Sequence, residues 1–150
     1  MFKPHPKIKN VFWTGESNDA DLKNLLDGAK KIADAKTRVY IMPNPGSSRT
    51  ADYIVVRDNI FKDYDLKTIT GKNSVGNRLF DSIGQSRRVV LNMNTDYNPR
   101  TLAKDIKTYF ETNKDASEVL ICKGGKQISV DRKSVKNSNY MSLFMKHWHK

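Results

Sequence analysis

Residues 51–93 read ADYIVVRDNIFKDYDLKTITGKNSVGNRLFDSIGQSRRVVLNM, and the fold turns on them. The first half alternates apolar and polar residues on either side of Arg57-Asp58-Asn59, the pattern of two strands joined by a tight turn. Aspartate and asparagine tolerate the left-handed backbone such a turn requires. If Asp58-Asn59 is a two-residue loop, Arg57 pairs with Ile60. Counting back along the strands 53–56 and 60–68 then sets Asp52 opposite Asp65, with both side chains on one face. A three-residue turn would put them on opposite faces. Gly71-Lys72-Asn73 follows as a loop, and Ser74 can cap a helix over about 75–85. The buried side of that helix is expected at Val75, Leu79, Phe80 and Ile83. Residues 88–93 are nearly continuously apolar, as in a central strand covered on both faces.

Outward from this stretch the pattern is regular. Upstream, Leu22, Leu25, Leu26, Ala29, Ile32 and Ala33 fall at helical spacing and predict a helix over about 18–35. Ser17, Asn18 or Asp19 can cap it, and Gly28 inside it suits close packing on a sheet. Residues 38–42 form a short strand that Pro43 and Pro45 stop, with a loop at 44–48. Downstream, Asn98-Pro99 opens a helix with the stripe Leu102, Ile106, Tyr109 and Phe110. Residues 118–123 and 126–130, joined by Gly124-Gly125, read as a closing hairpin. The order is α-β-β-β-α-β-α-β-β. That predicts an α/β (α+β) single domain, residues 1–150, with a mixed central sheet flanked by helices. Residues 1–16 are expected to be an irregular lead-in arm that tucks Phe12 and Trp13 onto the body. Residues 131–150 read as a basic tail, with room for a short helix near 140–148.

The formal net charge is +11, which points to a polyanion: RNA, DNA or an acidic protein. Cys122 is the single cysteine, so no intramolecular disulfide forms, and its apolar neighbours mark it as a core residue. No apolar run is long enough to span a bilayer, and the N-terminus does not read as a signal peptide. His5, His147 and His149 all lie near the termini, and His147 and His149 fit a frayed end better than a metal site.

Two constellations carry chemistry. On a strand Asp63, Asp65 and Lys67 share a face. With Asp52 they match the D…(D/E)xK pattern of metal-dependent nucleases, in which the acids hold a divalent ion and the lysine orients or activates the attacking water. An exposed strand face with alternating charges gives the same spacing. The second runs from Thr68 to Gln85. Thr70, Gly71, Lys72, Asn73 and Ser74 lead into a helix N-terminus, a potential phosphate site. Asn77, Arg78 and Gln85 would continue its polar face, with Arg87 and Arg88 following; a capped helix with a solvated side explains the same residues.

The chain resembles the C-terminal nuclease domains of bacterial polymorphic toxins, notably contact-dependent growth inhibition toxins. The matching order is Ala29-Lys30-Lys31-Ile32-Ala33, Val39-Tyr40-Ile41-Met42-Pro43, Ser48-Arg49-Thr50-Ala51-Asp52, Asp65-Leu66-Lys67-Thr68, Thr70-Gly71, Asn73, Asn77-Arg78-Leu79, Gln85-Ser86 and Arg88-Val89-Val90-Leu91-Asn92. The resemblance implies a toxin endoribonuclease cleaving RNA, often tRNA, in a target bacterium. It implies export as the C-terminal part of a larger protein, action in the target cytoplasm and a neutralising immunity protein, here expected to be acidic. Many such domains are grouped with the metal-independent barnase/EndoU/colicin/RelE type. On that footing no cofactor is needed, and Asp52, Asp65, Lys67, Thr70, Asn77 and Arg78 form the catalytic set. Lys67, Thr70, Asn77 and Arg78 would surround the phosphate while a 2′-hydroxyl attacks. Lys72, Asn73, Ser74, Ser82, Gln85, Arg87 and Arg88 would bind RNA. The segment from Asp52 to Lys67 is longer than the family's, and the matched region has no histidine. The alternatives are a Mg2+-dependent D…(D/E)xK nuclease, with Asp52 and Asp65 as metal ligands, and a non-catalytic nucleic-acid-binding module.

Overall fold

The computed structural model describes residues 1–15, 21–43 and 51–150. The caps expected at residues 17–19 and the loop at 44–48 lie outside the described residues. Among those described, eight strands form one mixed sheet in sequential order, β1 to β8, with five helices packed on it. The strands are β1 (Lys3–Pro4), β2 (Val11–Trp13), β3 (Thr37–Ile41), β4 (Tyr53–Arg57), β5 (Ile60–Ile69), β6 (Arg88–Met93), β7 (Glu118–Lys123) and β8 (Lys126–Asp131). The helices are α1 (Leu22–Ile32), α2 (Val75–Asp81), α3 (Pro99–Thr112), α4 (Arg132–Lys136) and α5 (Tyr140–His149). The predicted order α-β-β-β-α-β-α-β-β is present intact from α1 to β8. None of the described helices is long and apolar enough to cross a membrane.

The sheet separates two cores. β5, β6 and β7 run parallel, and the connections through α2 and α3 lie on the same side of the sheet. There Leu79, Leu91, Ile106, Phe110 and Ile121 pack together and are almost fully buried. On the opposite side α1 lays Leu25, Ala29 and Ile32 over Val39, Tyr53, Val90 and Leu120. The near-continuous burial of β6 follows from this two-sided cover. Gly28 lets α1 approach closely. A Cβ there would stand 2.5 Å from the Tyr53 hydroxyl, which donates to Leu25 O at 2.6 Å. Farther along, Lys31 donates to Asn92 and Asn94, and both amides donate to Asp27, clamping α1 to the end of β6. The predicted start of α3 is present: Asn98 Oδ1 accepts from the N–H groups of Arg100 and Thr101, with Pro99 in the first turn.

Both ends of the chain are more ordered than the sequence suggests. The lead-in arm contains β1 and β2. β2 runs parallel to β3, Val39 N–H donates to Asn10 O, and Val11 is fully buried. The open edge of β3 gives these residues backbone partners that their local sequence does not reveal. Phe12 stacks on Tyr40, and His5 lies against Trp13. The basic tail is a helical pair. Asp131 caps α4, and Tyr140, Phe144 and Trp148 bury one stripe of α5, Tyr140 donating to Ala103 O of α3. Lys126 donates to three carbonyls at the end of α5, and the last turn containing His147 and His149 is held rather than frayed.

Candidate active site

The site is built by the β4–β5 hairpin. Asp58 and Asn59 have φ of 53° and 63°, both left-handed, so of the two turns left open by the sequence the two-residue one is present. Arg57 pairs with Ile60, and the ladder runs without a slip to Tyr53 and Tyr64. Beyond it Asp52 N–H donates to Tyr64 O, while the Asp52 carboxylate accepts Leu66 N–H at 2.7 Å. The side chain of Asp52 thus turns onto β5 beside Asp65. In the parallel register Asp65, Lys67 and Ile69 align with Val89, Leu91 and Met93, on the face that carries α2 and α3.

Asp65 is the unusual residue. Its side chain is 2% exposed, and Lys67 Nζ lies 3.3 Å from Oδ2 at 12% exposure. That oxygen has no hydrogen-bond partner of good geometry among the described residues. Burial, then the hydrogen bond and negative charge of Asp52, push Asp65 up to about 7, against the pull of Lys67. At neutral pH Asp65 therefore still carries its proton about half of the time. Asp63 does not join them; it is exposed and pairs with Arg88 at 3.7 Å.

Behind the site β5 is fixed from the other face. Tyr64 donates to Glu118 Oε1 at 2.6 Å, Ser129 donates to Oε2, and Arg88 Nε lies 3.8 Å from the same carboxylate. Arg88, expected to bind RNA, is therefore committed to Asp63 and Glu118. Ser82, also expected to bind RNA, is fully buried and donates to Leu79 O. The helix stops at Asp81, short of the predicted 85, and the amide of Gln85 donates back to Asp81 O. Its sheet-facing line is Val75, Leu79 and then Ser82, so Phe80 turns outward at 71% exposure instead of into the core.

The expected phosphate site at the start of α2 is already filled. Val75 N–H donates to the Tyr97 hydroxyl, and Gly76 N–H donates to the Asp105 carboxylate of α3. Burial raises Asp105, while the bonds from Tyr97 and Gly76 oppose it. Ser74 does not cap the helix; its hydroxyl donates to Gly71 O. Sequence reasoning missed this clasp, although Tyr97 and Asp105 flank the recognisable Asn98-Pro99 helix start.

Thr70, Lys72, Asn73, Asn77 and Arg87 are exposed, and Thr70, Lys72 and Asn73 sit on the loop just beyond the end of β5. Arg78 is half-buried with an unpartnered Nε. At about 100° per residue it lies on the flank of α2 opposite Gly76, and so away from α3. No hydrogen bond or ion pair joins Lys67 to Thr70, Asn77 or Arg78 among the described residues. The fold thus brings together Asp52, Asp65 and Lys67, leaves Thr70, Lys72 and Asn73 on the loop beyond β5 and Asn77 and Arg78 on α2, and takes Ser82 and Arg88 into contacts of their own. No family model matches the chain, and no curated protein or solved structure matches it.

Proposed function

We propose that this protein is a nuclease of the D…(D/E)xK type, hydrolysing phosphodiester bonds with Asp52, Asp65 and Lys67. The observation that carries the reading is the buried Asp65 carboxyl, set beside Asp52 with Lys67 at 3.3 Å. Burying the Asp65 carboxyl against a second, half-buried one destabilises a fold unless a proton or a cation lies between them. No group of three or more His, Cys, Asp or Glu side chains that could hold a metal lies among the described residues, so the donor set for a divalent cation would be these two carboxyls completed by water. Asp65 Oδ2 is buried without a hydrogen bond, and carboxylate oxygens are the hard ligands that Mg2+ takes one or two at a time. Asp52 and Asp65 would hold the ion, which when bound supplies Lewis-acid stabilisation of phosphoryl charge and a more acidic water.

The chain's own groups have separate tasks. Leu66 N–H orients Asp52. Lys67, largely withdrawn from water, meets the negative charge that builds on the phosphoryl oxygens as water attacks. Lys72, Asn73 and Arg87 would meet flanking phosphates. This reading inverts the order of preference that the toxin resemblance suggested. Among the described residues no hydrogen bond or ion pair links Lys67, Thr70, Asn77 and Arg78 to one another, which favours the metal-assisted reading over the metal-free one.

RNA as substrate, tRNA in particular, is proposed from the resemblance and the charge of +11. An exported toxin role, with an acidic immunity protein covering the site, is proposed on the same footing. The test is incubation with total bacterial RNA and, separately, duplex DNA, with Mg2+ and with EDTA. Mg2+-dependent cleavage of RNA supports the reading. Cleavage undiminished by EDTA refutes the metal ligands, and intact nucleic acid in every arm refutes the enzyme.

A further inference from the structure

A second basic surface lies on the same side of the sheet as Asp65, beyond α2 and α3. A cleft of about 670 Å³ opens between α3 and the α4–α5 pair. Lys104 and Lys107 line one wall, Lys136 the other, and Glu111 is its single acid. Residues 132–150 contain five lysines and arginines and no acid at all. Lys104, Lys107 and Lys136 form no ion pair among the described residues. Lys104 and Lys107 are three apart on one helix, where like charges repel, and Lys136 faces them. Folding gains nothing from this arrangement; a bound anion would.

The type of cation indicates the type of anion. Arg132 lines the same cleft, but its guanidinium donates to Phe110 O, Asn113 O and Ala116 O at the end of α3. No guanidinium is left to grip a carboxylate with its two-pronged geometry. What remains is a set of flexible point charges, which suits spaced phosphates. We propose that this cleft binds the sugar–phosphate backbone of a nucleic acid at a distance from the scissile bond, independently of sequence. The proposal rests on the nuclease reading only for the identity of the polymer.

The experiment uses the full chain carrying Asp65→Asn, so that the probe survives. A fluorescein-labelled RNA hairpin with a stem of about 20 base pairs is titrated by anisotropy from 50 to 300 mM KCl. In that background Lys104→Gln, Lys107→Gln and Lys136→Gln together should weaken binding about tenfold or more. Losing three phosphate contacts should also flatten the slope of log affinity against log salt by roughly 2 to 3. The single Lys104→Glu should act in the same direction, which keeps the test open if the triple variant misfolds. Unchanged affinity and slope overturn the proposal. So does poly-glutamate that displaces the hairpin at equal charge from the parent but not from the triple variant, since the cleft would then select acidic peptide. Cleavage of RNA by the unsubstituted protein with Mg2+ is scored separately. Its absence alongside a cleft-dependent slope refutes the nuclease reading and leaves the cleft standing.

Discussion

Asp65→Asn should inactivate the protein and stabilise it at the same time. Asparagine keeps the shape of a protonated aspartate and can donate to Asp52 as that acid does. In the folded chain Asp65 keeps its proton up to about 7, whereas an ordinary aspartate gives it up near 3.8. Between those values the unfolded chain binds fewer protons, so stability falls as pH rises, and above about 7 the loss is complete. At about 1.4 kcal/mol per pH unit the ceiling on this loss is roughly 4 kcal/mol. Relaxation around the ionised pair should leave ~1–3 kcal/mol of it. The assay is urea unfolding of both proteins at pH 4 and pH 8 in EDTA. The variant should match the parent at pH 4 and exceed it at pH 8. Adding 10 mM Mg2+ at pH 8 should stabilise the parent alone, by about 2–3 kcal/mol if the ion is near a hundredfold above its dissociation constant. Equal stabilities at pH 8 would refute the reasoning, because Asp65 would then carry no burden that a cation or proton relieves.

Three further outcomes follow from particular contacts. Lys67→Ala should lower cleavage at least a hundredfold, within the range seen for lost charge stabilisation, while circular dichroism stays unchanged; wild-type rates would exclude the lysine from the chemistry. Gly28→Ala should cost a net ~1–2 kcal/mol despite better helix propensity, because its Cβ meets the Tyr53 hydroxyl at 2.5 Å and Leu66 Cδ1 at 3.0 Å; a rise in the thermal midpoint would show that the contact yields freely. Tyr64→Phe removes the 2.6 Å bond to Glu118 and should destabilise by about 1–3 kcal/mol; an unmoved urea midpoint would mean that Arg88 and Ser129 suffice to hold that carboxylate.

The parts of the fold written in local periodicity were legible. α1, the β4–β5 hairpin, β6, α3 and the β7–β8 hairpin all follow from spacing and turn chemistry in their own residues. β2 was not, because its three residues are held by backbone bonds to β3, more than twenty positions away. The same division runs through the site. Asp52, Asp65 and Lys67 meet because a hairpin register is countable from its turn. The fates of Ser82 and Arg88 depend on neighbours from other elements, Ser82 on burial under the sheet-facing side of α2 and Arg88 on Glu118 of β7. A helical wheel cannot tell a polar residue that faces solvent from one that completes the core.

The two-residue turn at Asp58-Asn59 has a consequence for how such a chain can change over time. It lies about 20 Å along the strands from Asp52, at roughly 3.3 Å per residue, and touches none of the chemistry. A residue inserted there would lengthen the loop and leave Arg57 opposite Ile60, so the carboxyl pair would be undisturbed. A residue added within β4, between Asp52 and the turn, would instead reverse the alternation and part Asp52 from Asp65. Length variation should therefore be tolerated at the exposed tip and resisted within residues 53–57, a constraint that the carboxyl pair places on the strand and not on the loop.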